Sequence, residues 1–139
     1  LKYTDIDKKR GLLMIHQSKG RKDRIVPISI KTINLISAYY ERYKPSEWLF
    51  EGQEKGRQYS ETSLQIILKQ AVKRAGIMKP VTLHWLRHSY ATHLLESGTD
   101  IRYIQELLGH KSSKTTEIYT HVTVKSLQNI KSPFDSMEI

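Results

Sequence analysis

Cysteine is absent from this sequence. This excludes a disulfide scaffold, a cysteine nucleophile and a thiolate zinc site. No apolar run approaches the roughly 18 residues that a membrane helix needs, and the first residues have neither the pattern of a secretory signal nor that of a transit peptide. We therefore expect a soluble, cytoplasmic protein that does not associate with membranes.

An initiator methionine is also lacking, because the 139 residues begin at Leu1. The length corresponds to one compact domain or a piece of one. We therefore expect an excised fragment whose other part contributes to the function.

Acidic residues are in the minority. Lysine and arginine number 23 against 14 aspartate and glutamate residues, which gives a formal net charge of +9. The excess is concentrated in residues 1–45, with eleven basic and four acidic residues. The densest basic stretch, residues 19–24, lies between two apolar segments. This distribution favours a polyanionic partner, although a solvated hairpin tip would have the same composition.

Short apolar segments predict a small antiparallel sheet. Residues 12–16 and 24–28 are mostly apolar or β-branched and are separated by a polar turn that contains glycine, which is typical of a β-hairpin. Pro27 cannot donate a ladder hydrogen bond, so its strand should lie at an edge of the sheet or end there.

Helical periodicity dominates the rest of the chain. The spacing of apolar residues predicts helices over residues 31–43, 64–75 and 83–97, and another that begins after Thr99 or Asp100. Ser60 is a candidate cap for the second, and Ile101, Ile104, Leu107 and Leu108 should form the buried face of the fourth. Two further helical stretches are expected near residues 115–121 and 124–130. The predicted fold class is α+β, mainly α-helical, with a small antiparallel sheet near the N-terminus.

One predicted helix carries His84, Arg87 and His88. Side chains three and four residues apart share a helix face, and a guanidinium beside an imidazole suits the two non-bridging oxygens of a phosphate. A buried arginine paired with a carboxylate, with packed histidines, is the structural alternative. A zinc site at His84 and His88 is disfavoured, because the spacing lacks the glutamate of the metalloprotease motif and Arg87 would repel the cation.

Tyr119 follows His110 by nine residues. Because a phenol has a pKa of about 10, it attacks phosphorus well only where cations stabilise the phenolate and the developing charge. A tyrosine by itself is usually a packing residue, so its interpretation depends on the surrounding motifs.

These motifs together resemble those of the tyrosine recombinases, the phage-integrase and Xer-type group. The resemblance extends over nearly the whole chain, and ordered blocks with matching spacing are more specific than any one motif. The matching blocks are His84-x-x-Arg87-His88, Gly98-x-Asp100-Ile101, Leu107-Leu108-Gly109-His110 and Tyr119-Thr120-His121, with Asp5-Ile6-Asp7 and Lys19-Gly20-x-Lys22-x-Arg24 upstream.

The resemblance implies phosphoryl transfer on DNA without a metal or cofactor. Tyr119 matches the nucleophile that forms a 3′-phosphotyrosyl intermediate, and Arg87 matches the second of two family arginines that grip the phosphate. His84 matches a residue that contacts the phosphate and takes part in proton transfer at the nucleophile. His110 matches a transition-state stabiliser, and Lys19 matches the acid that protonates the leaving 5′-oxygen. His88 and His93 are expected to be structural.

Four further residues are expected to bind DNA: Arg21, Lys22, Arg24 and Lys111. Neighbouring cations would also lower the pKa of Lys19 and so make it a better acid. The implied partners are double-stranded DNA and further copies of the chain, which would assemble as a dimer to tetramer on DNA through the C-terminal tail. The alternative is a tail that folds back onto its own domain.

One departure from the family pattern affects the expected activity. The first family arginine, and the separate N-terminal DNA-binding domain, would precede Leu1. Residues 1–139 are therefore expected to be a catalytic domain truncated at its N-terminal side, with little or no activity alone, because losing one charge clamp commonly costs several kcal/mol.

Two other functions fit parts of the sequence. Residues 100–121 are compatible with a helix-turn-helix DNA-binding protein, in which Tyr119 would only pack or contact phosphate. A type IB topoisomerase would use the same chemistry to relax supercoils without joining two sites. The Xer-like order and spacing favour recombination.

Overall fold

A computed structural model of the chain describes residues 1–16, 23–109 and 128–138. In this part of the chain the elements are four α-helices, three short strands and two 3₁₀ turns, at Tyr3–Asp5 and Pro133–Ser136. The predicted fold class, mainly helical with a small antiparallel sheet, is confirmed. None of the described helices is long and apolar enough to span a bilayer.

The sheet has three antiparallel strands in the order β1–β2–β3, namely Ile6–Asp7, Leu12–Ile15 and Arg24–Pro27. Leu13 of β2 lies opposite Ile6 on one side and Val26 on the other. The hairpin and the position of Pro27, the last residue of edge strand β3, are confirmed. Periodicity did not reveal β1, because two residues are too few to show a pattern.

The helices match their predicted positions to within about three residues. They are α1 (Ile30–Tyr43), α2 (Glu61–Arg74), α3 (Leu83–Glu96) and α4 (Ile101–Leu108). Each begins after a residue whose side-chain oxygen accepts a backbone N–H of the first turn, which satisfies a donor that the helix itself leaves unpaired. The four capping residues are Ser29, Ser60, Thr82 and Asp100.

The apolar side chains are buried in two separate clusters. The first core joins the sheet, α1 and the segment after it, and contains Ile6, Ile33, Ile36 and Leu49. The second core joins α3 and α4, and contains Leu94, Ile104 and Leu107. Partly buried Leu13 packs on the first core and Val26 on the second, so the sheet contacts both.

The apolar stripes are buried less completely than their patterns predict. Ile104 and Leu107 of α4 are buried as expected, but the prediction for Ile101 is wrong, because it is 56% exposed. The second core gathers around the C-terminal turns of α4, away from Ile101. On α2 no residue is buried, and Leu64 and Ile67 are each 46% exposed.

The described end of the chain lies against its own domain. Ile130 packs on the second core, and Ser29 Oγ donates a hydrogen bond of 2.5 Å to Asp135 Oδ1. The Lys31 ammonium donates to the carbonyls of Phe134 and Met137 at 3.2 and 2.6 Å. The predicted helix over residues 115–121, and most of the predicted stretch 124–130, lie outside the described residues.

Candidate functional site

The first turns of α3 present the predicted phosphate-binding side chains. Thr82 Oγ1 accepts the N–H of Trp85 at 3.3 Å and so starts the helix two residues before His84. The rings of His84 and His88 meet nearly at right angles, with centroids 4.6 Å apart, which shows that they share a face of the helix. His84 is exposed, whereas Arg87 is half-buried.

Arg87 points toward the C-terminal end of α4. Its Nη2 donates to the carbonyl of Leu108, which belongs to the last turn of that helix. Among the described residues no carboxylate forms an ion pair with Arg87, which argues against the alternative of a carboxylate-paired structural arginine. A guanidinium has five N–H donors, so one bond to a carbonyl leaves donors for an anionic ligand.

Arg24 of β3 reaches the same helix end from a distant part of the sequence. Its Nε donates to the carbonyl of Leu107 at 3.2 Å. The helix closes at Gly109, whose φ of 67° is left-handed and whose N–H bonds to the carbonyls of Gln105 and Glu106. All four carbonyls that α4 cannot bond internally therefore have donors, two of them from arginine side chains.

The charges at this helix end complement each other. The C-terminus of a helix carries a partial negative charge, and cations placed there are stabilised. The two half-buried guanidinium groups of Arg24 and Arg87 are therefore tolerated close together, where they would otherwise repel. The arrangement concentrates positive charge immediately before residue 110.

The base of the hairpin has a second polar cluster, centred on His16. Its Nδ1 lies 3.0 Å from Asp23 Oδ2, and its Nε2 lies 3.1 Å from Asp5 Oδ1. The hydrogen bond with Asp23, opposed by partial desolvation and supported by Asp5, raises the pKa of His16 above its usual value. This bridge links both ends of the hairpin loop to the turn before β1.

Three of the predicted site residues lie around the start of α3 and the end of α4, namely Arg24, Arg87 and His84. The other six lie outside the described residues: Lys19, Arg21, Lys22, His110, Lys111 and Tyr119. Within the described ranges no group of histidine, aspartate and glutamate side chains is arranged to hold a metal ion.

Sequence reasoning missed two features of the site. It expected Arg24 to bind DNA, which stays a prediction, and it did not predict that the side chain contacts the end of α4. It also passed over His16, which lies three residues before the basic stretch and whose carboxylate partners are seven and eleven residues away along the chain. A glycine directly after a predicted helix was the available signal for the helix end that Arg24 contacts.

Comparisons with known proteins identify the family of the chain. The sequence model of the phage integrase family matches residues 1–126. The chain belongs to this family. The resemblance to tyrosine recombinases is thereby confirmed, and the family assignment accounts for both the sheet and the helices.

Named relatives give the same assignment. Tyrosine recombinase XerA of Thermococcus onnurineus is 47% identical over 131 residues, which are 92% of this chain and 46% of that protein. Tyrosine recombinase XerD of Corynebacterium glutamicum is 43% identical over 136 residues, with coverage of 94% and 44%. The chain spans about half the length of these relatives.

Solved structures share the fold. The crystal structure of XerA recombinase superposes with a TM-score of 0.74 at 34% identity, covering 92% of this chain and 48% of that one. XerH site-specific recombinase, bound to its palindromic difH substrate in a post-cleavage complex, gives a TM-score of 0.68 at 31% identity, with coverage of 87% and 36%.

Proposed function

We propose that the chain is the larger part of the catalytic domain of a site-specific tyrosine recombinase. The longer protein of which it would be a part is called the parent protein below. The observation that carries the proposal is the convergence of Arg87 and Arg24 on the end of α4, since this helix leads directly to His110 and then to Tyr119.

The proposed reaction exchanges one phosphodiester for another. The phenolate of Tyr119 attacks the scissile phosphorus, the bond between phosphorus and the 5′-oxygen breaks, and this oxygen takes its proton from Lys19. The products are a 3′-phosphotyrosyl bond and a free 5′-hydroxyl. A 5′-hydroxyl from another strand then attacks the same phosphorus, returns a proton to Lys19 and displaces Tyr119 as the phenolate. Because bond types are conserved, the cycle needs no cofactor and no external energy.

Arg87 supplies the charge that the transition state requires. Its half-buried guanidinium is held by the carbonyl of Leu108, so its remaining donors are oriented before the phosphate arrives. Preorganised donors of this kind contribute more than mobile ones, because they need no reorganisation during the reaction. His84, which is exposed on the same helix, would contact the phosphate and take part in proton transfer at the nucleophile.

The test is to trap the parent protein on a nicked suicide duplex and to identify the DNA-linked residue by mass spectrometry. We expect the adduct at Tyr119, and none from Tyr119→Phe, which should still bind its site. Arg87→Ala should slow adduct formation by roughly 100- to 1000-fold. Adduct at another residue, or strand exchange by Tyr119→Phe, would refute the assignment.

Product analysis separates the related functions. A plasmid with two target sites should give inverted or resolved products with a recombinase, but only relaxed circles with a topoisomerase. Site binding with no covalent adduct under any condition would favour a helix-turn-helix binding protein.

We also propose that the parent protein binds double-stranded DNA. On the DNA, two to four copies would assemble through contacts made by the C-terminal tail. A first arginine and a DNA-binding domain would come from a preceding segment. If the tail docks on a neighbouring protomer, its contacts with Ser29 and Lys31 of its own chain must be replaced by equivalent contacts with that protomer. Deleting residues 124–139 should reduce cooperative assembly on DNA more than single-site binding, and equal losses would contradict the proposal.

A further inference from the structure

Arg24 connects two parts of the chain that are far apart in sequence. It is the last residue of the basic stretch 19–24 and the first residue of β3. Its side chain bonds to Leu107, 83 residues away, and is half-buried at this contact. The contact therefore joins β3, which follows Lys19 by a few residues in the sequence, to the helix that precedes His110.

The contact with α4 leaves no room for a side chain at Gly109. A Cβ built at this glycine would lie 2.8 Å from Nη1 of Arg24 and 3.0 Å from its Cζ. Distances below 3.0 Å are essentially never found for real Cβ atoms, so one of the two groups would have to move. The guanidinium therefore packs across the glycine that ends the helix, in addition to its bond with Leu107.

We propose that Arg24 is a positioning residue for the recombinase site. By bonding to Leu107 and packing on Gly109, it fixes the orientation of the C-terminal end of α4, which precedes His110 in the sequence, relative to β3, which follows residues 17–22. This inference rests on the proposed function. It differs from the interpretation of Arg24 as a DNA contact, because here the side chain acts through the end of α4.

The chemistry of arginine suits this position. A guanidinium is planar and rigid, so it can donate along one edge while its face packs against a flat backbone segment. A lysine ammonium is a compact point charge on a flexible stem and cannot do both. Arg24→Lys therefore keeps the charge and loses the geometry, which makes it the decisive variant.

The first experiment measures single-turnover cleavage by the parent protein on a suicide duplex at saturating protein. Arg24→Lys and Arg24→Gln should each lower the cleavage rate by roughly tenfold or more, while site affinity and its salt dependence stay near wild type. The matched control is Arg57→Gln, at an exposed arginine paired with Glu54 away from the site. A wild-type cleavage rate for Arg24→Lys would overturn the proposal.

Salt dependence distinguishes the two roles of Arg24. A phosphate contact contributes about one unit to the slope of binding against salt concentration. If Arg24→Gln loses about one unit of slope and both Arg24 variants cleave normally at saturation, Arg24 is a DNA contact and the proposal is wrong.

The second experiment is a double-mutant cycle with Gly109→Asn. Asparagine tolerates a positive φ, so this variant mainly adds a side chain where the guanidinium lies. We expect it to displace Arg24 and to cause a similar cleavage defect, with the double variant Arg24→Gln/Gly109→Asn no worse than either single one. If the fold-reduction in cleavage rate of the double variant equals the product of the two single reductions, the residues act independently and the proposal is overturned.

A third measurement does not depend on cleavage. Arg24→Lys should increase amide hydrogen exchange at Gly109 and change its NMR chemical shift, whereas Arg57→Gln should change neither. If wild-type protein forms no adduct at Tyr119, the proposed function fails, and this measurement still tests the link. An unchanged Gly109 signal in Arg24→Lys would refute the link itself.

Discussion

The two hydrophobic cores are built from similar side chains but support different parts of the molecule. Leu49 in the first core and Leu94 in the second are each 1% exposed. The first core holds α1 against the sheet, whereas the second lies beneath the end of α4, where Arg24 and Arg87 converge. Equal burial therefore does not mean equal importance for the site.

The largest expected effects come from truncating these two leucines. Leu49→Ala and Leu94→Ala should each lower the free energy of unfolding by about 2–5 kcal/mol, since both lose contacts and leave a cavity. Only Leu94→Ala should also disturb the Arg87 contact with Leu108. Chemical denaturation measures the first effect, and the cleavage rate under conditions where both variants are folded measures the second. Equal cleavage rates for the two folded variants would contradict the conclusion that only the second core supports the site.

Helix caps give a smaller contrast. Ser29 is 4% exposed, accepts two backbone N–H groups and donates to Asp135, whereas exposed Thr82 accepts one. We expect Ser29→Ala to cost about 1–2 kcal/mol of unfolding free energy and Thr82→Ala about 0.5–1 kcal/mol. Denaturation midpoints measure both, and a larger loss for Thr82→Ala would show that burial does not decide the cost.

The smallest effects on stability should come from pH. They should have opposite signs at His16, beside the sheet, and at Asp100, the cap of α4. The pKa of His16 is raised by Asp23 and Asp5, so its contribution to stability is present below its usual pKa of 6.5 and is lost as the pH rises through the higher folded value. Hydrogen bonds from Arg102 lower the pKa of Asp100 from 3.8 to about 2, so its contribution is lost as the pH falls through that range.

NMR titration of His16 and Asp100 tests these directions. His16→Gln should remove the alkaline change in stability, and Asp100→Asn should remove the acidic one while keeping a capping oxygen. A midpoint for His16 at or below its usual pKa of 6.5 would show that the bridge between Asp5 and Asp23 does not form in solution.

Local elements were predictable because their signals are local. The caps Ser60 and Asp100, the strand end at Pro27 and the positions of the four helices follow from residues within one or two turns. The same signals did not predict burial. The clear apolar stripe of α2 has no buried residue, whereas the shorter α4 buries Ile104 and Leu107. Periodicity shows which face is apolar, but burial depends on another element packing there.

The candidate site was predictable in part. The shared face of His84 and His88 follows from helix geometry. The roles of Arg87 and Tyr119 are implied by the family resemblance and stay predictions. The inward contact of Arg24 could not be predicted, because charge alone does not show which way an arginine points. Its partner Leu107 is 83 residues away, beyond any local pattern.

The sequence by itself determined the helices, the hairpin, the basic character of the chain and its family. Only the tertiary structure decided that Arg24 and Arg87 meet at the carbonyls of Leu107 and Leu108. The physical reason is that helices and turns form from contacts between near neighbours in the chain. The meeting of the two arginines depends instead on the packing of β3, α3 and α4 around the second core.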